Sequence, residues 1–175
     1  MVAPEVRSSA STHAAQHLAA SDLFNKSALI SCYLARENEF ETSAIISTIW
    51  QAKKNCYLPV MMQDKNHLQF ALYNQDDTLK LGRFGIQEPA EHKDLIKPSE
   101  LEIVILPVWG FDLAGHRLGS GGGFYDRTFE FKKSGAKHPL LIGLAYQQQE
   151  ILALPYDEWD VNLDGILTEK AFTLF

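Results

Sequence analysis

Between Asp112 and Arg127 the chain reads D-L-A-G-H-R-L-G-S-G-G-G-F-Y-D-R, a run of residue types suited to holding an anion. Gly119, Gly121, Gly122 and Gly123 can take positive φ and let the backbone come close to a ligand, so successive N–H groups converge on one point. Leu118 and Ser120 lie within the same loop, and Arg117 and Arg127 bracket it with positive charge. From Phe124 and Tyr125 onward the pattern reads as the start of a helix, whose unpaired N–H groups and dipole add to an anion site. A nucleotide phosphate is the natural occupant. The spacing excludes two familiar phosphate loops: G-x-G-x-x-G would need glycine where Phe124 stands, and the Walker loop would need a G-K-[ST] ending. A flexible linker would be richer in serine and would not run into F-Y-D-R. Asp126 beside bound phosphates calls for a cation between them, and Mg²⁺ held by one or two carboxylates plus phosphate oxygens meets that need. The same carboxylate could instead cap the helix.

The rest of the chain must position this loop. Its 175 residues are 46% hydrophobic, enough for one domain that buries roughly 70% of its unfolded surface. A net charge of −6 argues against a nucleic acid or an anionic membrane as partner. Cys32 and Cys56 fall in apolar runs without C-x-x-C spacing, which suits reduced thiols in a cytoplasmic protein.

Helical and extended patterns alternate. Ala14 to Phe24 carries Ala15, Leu18, Ala19 and Leu23 on one helical face, followed by a short apolar strand over Ala28 to Leu34. Thr42 to Gln51 spaces Ile45, Ile46, Ile49 and Trp50 as a helix does, and Cys56 to Met61 is strand-like but interrupted by Pro59. Together they make a β-α-β unit. His67 to Tyr73 alternates as a half-buried strand near a sheet edge. Ile103 to Val108 and Leu140 to Leu144 are apolar almost throughout, as central parallel strands are. Gly165 to Thr168 adds a last short strand. The stretches Asn74 to Lys80 and Pro89 to Ser99 read as surface connections. The expected architecture is a single α/β domain over residues 1–175, three-layer α/β/α with a mostly parallel central sheet. Its glycine loop follows a strand, where open α/β sheets bind ligands.

The segment F-D-L-A-G-H-R-L-G-S-G-G-G-F-Y-D-R resembles the corresponding motif of the 5-formyltetrahydrofolate cyclo-ligase (methenyltetrahydrofolate synthetase) family. Further segments agree in order: N-E-F-E-T around Glu39, Y-L-P-V from Tyr57, F-G-I-Q-E-P from Phe84 and G-L-A-Y from Gly143. The resemblance implies a fold similar to the sugar-isomerase and CoA-transferase group. It also implies an ATP- and Mg²⁺-dependent cyclisation of 5-formyltetrahydrofolate to 5,10-methenyltetrahydrofolate, with release of ADP and phosphate. On the mechanism so implied, the formyl oxygen attacks the γ-phosphate, N10 closes onto the activated carbon, and phosphate departs.

By matching position, Arg117, Leu118, Gly119, Ser120, Gly121, Gly122, Gly123, Phe124 and Tyr125 would form the ATP loop. Arg117, Tyr125 and Asp126 would carry the chemistry, and Asp126 and Asp164 would hold Mg²⁺. Leu34, Glu39, Phe84 and Phe124, with Ser120 to Gly123, would line the folate pocket. There the Glu39 carboxylate would pair with the donor edge of the pterin. From local sequence alone Glu39 could simply precede a helix, Asp164 could be a turn residue, and Phe84, Phe124 and Tyr125 could be core aromatics. A basic helix preceding the part equivalent to Pro4 is expected from the resemblance but not found, Arg7 being the one Lys or Arg before Lys26. His13 and His17 lack further ligands and read as a solvated helical face; His116 reads as an exposed loop histidine. The expected state is a monomer acting on folate and ATP. The rival readings are a nucleotide-binding module without turnover and another phosphotransfer enzyme on the same scaffold.

Overall fold

A computed structural model describes residues 3–37, 39–61, 66–82 and 85–175. Helix α1 (Pro4–Ala19) opens with proline at its first turn, where the missing N–H costs nothing. Its inner face is small: Ala10, Ser11, Ala14, Ala15 and Leu18 are buried. The helix therefore begins ten residues before the apolar periodicity becomes evident at Ala14. It also stops earlier than Phe24, because the Ser21 hydroxyl accepts the Phe24 N–H (3.1 Å) and starts a separate short helix, α2 (Asp22–Lys26). His13 is exposed and His17 half-buried on the outer side of α1.

The unit expected over Ala28 to Met61 forms as β1 (Leu29–Ser31), α3 (Ser43–Gln51) and β2 (Asn55–Met61), with β1 and β2 paired in parallel. Pro59 does not interrupt β2. Pairing with β1 ends at Ser31 and Tyr57, with the Cys32 N–H donating to the Tyr57 carbonyl at 3.0 Å. Pro59 thus stands beyond the point where β1 needs a donor. On its other side β2 pairs antiparallel with β3 (Leu68–Leu72), an edge strand as the alternation implies. The polar stretches that follow contain a small hairpin, β4 (Leu79–Leu81) with β5 (Gln87–Pro89).

Strands β6 (Ile103–Pro107) and β9 (Leu140–Leu144) lie side by side in parallel, and β10 (Gly165–Leu167) continues the sheet beyond β9. The final β11 (Phe172–Leu174) is antiparallel on β10. Between β6 and β9 lie the hairpin β7 (Gly110–Phe111) and β8 (Arg117–Leu118), then helix α4 (Phe124–Thr128). The seven-stranded order is β11-β10-β9-β6-β1-β2-β3.

Helices α1 and α3 cover one face, where Ala14, Leu18, Ile45 and Ile49 pack with Ile30, Ile105 and Leu144. The opposite face is closed mainly by irregular chain. Phe111, Phe129, Val161 and Leu163 bury themselves against Val104 and Leu106 there, and the longest helix among the described residues that joins this cluster is the five-residue α4. A fully buried Phe or Leu contributes roughly 2 kcal/mol, so large side chains on extended segments can close this face without long helices. The fold is mixed α/β with a large, mostly parallel sheet, and the α/β/α expectation holds for its sheet and one helical layer. No helix among the described residues is long and apolar enough to cross a membrane.

The chain runs from β1 to β2 and β3 on one side, then returns to β6 and continues through β9 and β10 on the other. Strand order reverses between β1 and β6. The loops leaving their carboxyl ends, Cys32–Thr42 and Val108–Gly123, therefore flank the crevice where open α/β sheets take ligands.

Candidate active site

The loop after β6 is fixed before it reaches its glycines. The Trp109 N–H donates to the Leu118 carbonyl (2.7 Å), and the Asp112 N–H to the His116 carbonyl (3.1 Å). The buried Asp112 carboxylate gathers the turn: Oδ1 accepts the Ala114 and His116 N–H groups, both at 3.0 Å, and Oδ2 accepts the Leu154 N–H (2.9 Å). Oδ2 also lies 2.9 Å from His116 Nδ1. Burial alone would raise the Asp112 carboxyl; the bonds from Leu154 and His116 outweigh it and hold the group below its ordinary value. His116 is half-buried, and its ring stacks on Tyr156 with centroids 4.1 Å apart and planes 6° from parallel. The exposed-histidine expectation is thus corrected: pairing with Asp112 and stacking draw the ring into the turn. Sequence reasoning missed Asp112, although an Asp followed by a tight glycine turn is the pattern of a side chain bonding its own backbone.

Arg117 follows this knot, with its side chain only 8% exposed. Its Nη1 donates to the Val161 carbonyl, and its Nη2 to Asp126 Oδ1 at 2.6 Å. The Val161 N–H also donates to Asp126 Oδ1 (3.1 Å). Arg117 and Asp126 are therefore a pair, braced from one backbone position. Gly119, Ser120 and Gly121 are exposed, and Leu118 is half-exposed.

Positive φ is needed at Gly121 (+84°) and Gly123 (+61°), and not at Gly119 or Gly122. At Gly123 a side chain would meet Arg127 Nη1 at 2.6 Å as well as backbone strain. Arg127 does not simply add charge to the loop. It donates to the carbonyls of Asn66 (2.9 Å) and Gly122 (2.8 Å), and its guanidinium lies 5.0 Å from the Phe124 ring centroid. It holds the loop to the chain just before β3. Helix α4 begins at Phe124 as expected but spans five residues, so its dipole adds less than a longer helix would.

Across the crevice, the chain after β1 is fastened by Thr42. Its hydroxyl donates to the Tyr33 carbonyl (2.7 Å) and accepts the Ala35 N–H (3.3 Å), while the Tyr33 hydroxyl donates to the Phe40 carbonyl (3.2 Å). Leu34 is half-buried against the helical core. The Glu39 carboxylate is 8% exposed. Burial, and then the nearby Cys32 and Glu39, push the Tyr125 phenol well above its ordinary value, against the pull of Arg117. Phe84 lies outside the described residues.

Asp164 is placed differently. It stands where β9 and β10 begin, its Oδ2 accepting the Leu141 N–H (2.7 Å) and lying 3.0 Å from Lys132 Nζ. The glycine loop instead reaches, through Arg127, the Asn66 carbonyl just before β3, at the end of the sheet where β2 runs out. Among the described residues, no three His, Cys, Asp or Glu side chains come together as a metal cage would. Mg²⁺ does not require one, since one or two carboxylates with substrate phosphates suffice. Asp126 fits that use: among the described residues, Arg117 and the Val161 N–H both donate to Oδ1, which leaves Oδ2 for an ion. Asp164 is held in the same manner, through Oδ2 by Lys132 and the Leu141 N–H, and differs in place: it stands where β9 and β10 begin rather than in the glycine-loop segment.

Residues 1–169 match the family model described as the 5-formyltetrahydrofolate cyclo-ligase family. A 5-formyltetrahydrofolate cyclo-ligase of Haemophilus influenzae is 41% identical over 140 residues, covering 79% of this chain and 74% of its own length. Its Escherichia coli K12 namesake is 35% identical over 141 residues, covering 79% and 76%. The fold is similar to the NMR structure of Aquifex aeolicus 5,10-methenyltetrahydrofolate synthetase, with a TM-score of 0.82 and 28% identity over 99% of this chain and 84% of that one. With nearly its whole length matched, the chain belongs to the 5-formyltetrahydrofolate cyclo-ligase family.

Proposed function

We propose that this enzyme cyclises 5-formyltetrahydrofolate to 5,10-methenyltetrahydrofolate at the expense of ATP, which leaves as ADP and phosphate. The observation that carries the reading is the meeting of two halves at the switch point. The Arg117–Asp126 pair lies at the base of the exposed glycine loop that follows β6, and Glu39 lies on the loop that leaves the neighbouring β1. A formamide oxygen is a poor leaving group. Transfer of the γ-phosphoryl group to that oxygen lets N10 close on the carbon while phosphate departs with the oxygen. Such a reaction asks the protein mainly to position and to neutralise.

The backbone of Gly119 to Gly123 would cradle the phosphates between Leu118 and Phe124, and Arg117 would offset the charge that develops on transfer. Tyr125, a phenol protonated at neutral pH, would donate its O–H between the two ligands. Glu39 would take the donor edge of the pterin, with Leu34 and Phe124 as apolar walls. Asp126 would hold Mg²⁺, which would supply positive charge to offset that of the phosphates. Asp164 acts on this reading as a brace between Lys132 and the start of β9. Buried, unpaired Cys32 and Cys56 support a reducing, cytoplasmic setting, and the state proposed is a monomer.

The test is direct: the purified protein is mixed with 5-formyltetrahydrofolate, ATP and Mg²⁺, and the methenyl product is followed by its near-ultraviolet absorbance. Product that requires both ATP and Mg²⁺ supports the reading. Nucleotide binding without product would support the nucleotide-binding module instead. Glu39→Gln is expected to raise the KM for folate roughly 10- to 100-fold, the worth of one charge-assisted contact, with little change for ATP; equal effects on both substrates would refute the pterin role. Asp164→Asn is expected to cost about 1 kcal/mol of stability and to leave the Mg²⁺ requirement unchanged. A raised Mg²⁺ requirement in that variant would return Asp164 to the metal site.

A further inference from the structure

The carboxylate assigned to the pterin is already occupied by the protein itself. Glu39 Oε2 accepts the Arg36 N–H at 2.9 Å, while Oε1 takes the Arg36 side chain through Nη2 (3.1 Å) and Nε (3.4 Å). A guanidinium offers N–H donors on nitrogens joined through one carbon. The amino group and adjacent ring N–H of a pterin make the same fork. Arg36 therefore presents to Glu39 the pattern that the substrate would present.

The two partners differ in freedom. The Arg36 side chain is 46% exposed and Glu39 is 8% exposed, so the arginine can swing into water while the carboxylate stays in place. The backbone at both residues is held independently, for Arg7 Nη2 donates to the carbonyls of Arg36 (3.3 Å) and Glu39 (3.4 Å). Displacing the guanidinium thus need not move the loop. The Oε2 contact comes from backbone and persists, which keeps the carboxylate oriented.

We propose that Arg36 is a specificity-determining residue that occupies Glu39 in the free enzyme as an internal mimic of the pterin edge, so that folate must displace its guanidinium to bind. This rests on the assignment of Glu39 to the pterin. With its arginine half-exposed to water, an ion pair of this kind is weak, so the substrate can win. Weakly bound compounds lacking the fork would be turned away.

The experiment is equilibrium binding of 5-formyltetrahydrofolate, without ATP, to the wild-type protein, Arg36→Ala, Arg36→Lys, Glu39→Gln and the double variant, with each fold verified by circular dichroism. Arg36→Ala is expected to bind folate about three- to fivefold more tightly, a change of that small size. Arg36→Lys should fall between it and wild type, and the double variant should bind as Glu39→Gln does. Nucleotide affinity should not move. If Glu39→Gln weakens folate binding but Arg36→Ala leaves it unchanged or weaker, the competition is overturned while the role of Glu39 stands. If Glu39→Gln has no effect on folate, that role fails and takes the proposal with it.

Discussion

Arg117→Ala is expected to lower kcat/KM by about 10³-fold or more, the scale seen when an arginine that offsets phosphoryl-transfer charge is removed. The side chain is almost enclosed, with one guanidinium nitrogen on the Val161 carbonyl and the other on Asp126. Its loss removes the cation from beneath the glycine loop and leaves the half-buried Asp126 without its counter-charge. A stability cost of about 2 kcal/mol should accompany this, less than for a fully enclosed pair because Asp126 keeps some contact with water. Arg117→Lys separates the two effects. A lysine restores charge but cannot reach two acceptors as a fork does, so stability should recover more than turnover. Steady-state kinetics with thermal melts measures both. Near-normal kcat/KM in a folded Arg117→Ala protein would remove this residue from the phosphate site.

Asp126→Asn is expected to lower kcat/KM by about 10²-fold and to raise the Mg²⁺ needed for half-maximal turnover at least tenfold. These magnitudes follow from weakening one ligand of a metal that carries much of the phosphate charge. Asparagine keeps an oxygen for the Val161 N–H and the Arg117 fork, so the local fold should survive. Titration of Mg²⁺ at saturating ATP tests it, and an unchanged Mg²⁺ curve would leave Asp126 as a partner of Arg117 alone. Because the two side chains touch at 2.6 Å, the double variant should lose less than the product of the single losses.

The sequence announces what depends on strong periodicity or on residue type. Ile103 to Val108 and Leu140 to Leu144 read as central parallel strands because both faces of β6 and β9 are covered, and the two pair directly. The glycine loop was legible because few other composition patterns serve an anion. The first half of α1 is not, since its buried side chains are Ala10 and Ser11 rather than larger apolar residues. Strands of two or three residues, such as β7, β8 and β11, are too short to display alternation. At the site, Glu39 and Asp126 could be singled out but their occupants could not. Arg36, three residues from Glu39, and Arg117, nine from Asp126, meet them only through loop geometry and rotamer. The Lys132–Asp164 contact likewise needs β9 and β10 to be in register before the two residues are neighbours.

The pairing of β1 with β6, Ile30 opposite Ile103 and Ser31 opposite Val104, joins stretches more than seventy residues apart in the chain. Each strand feeds one half of the crevice, so neither half can recognise the other until this long-range contact has closed. Contacts of that kind form late and at a high entropic cost. Catalytic competence is accordingly a property of the assembled centre of the sheet, gained and lost with its cooperative transition rather than with the local loops that bear the reacting side chains.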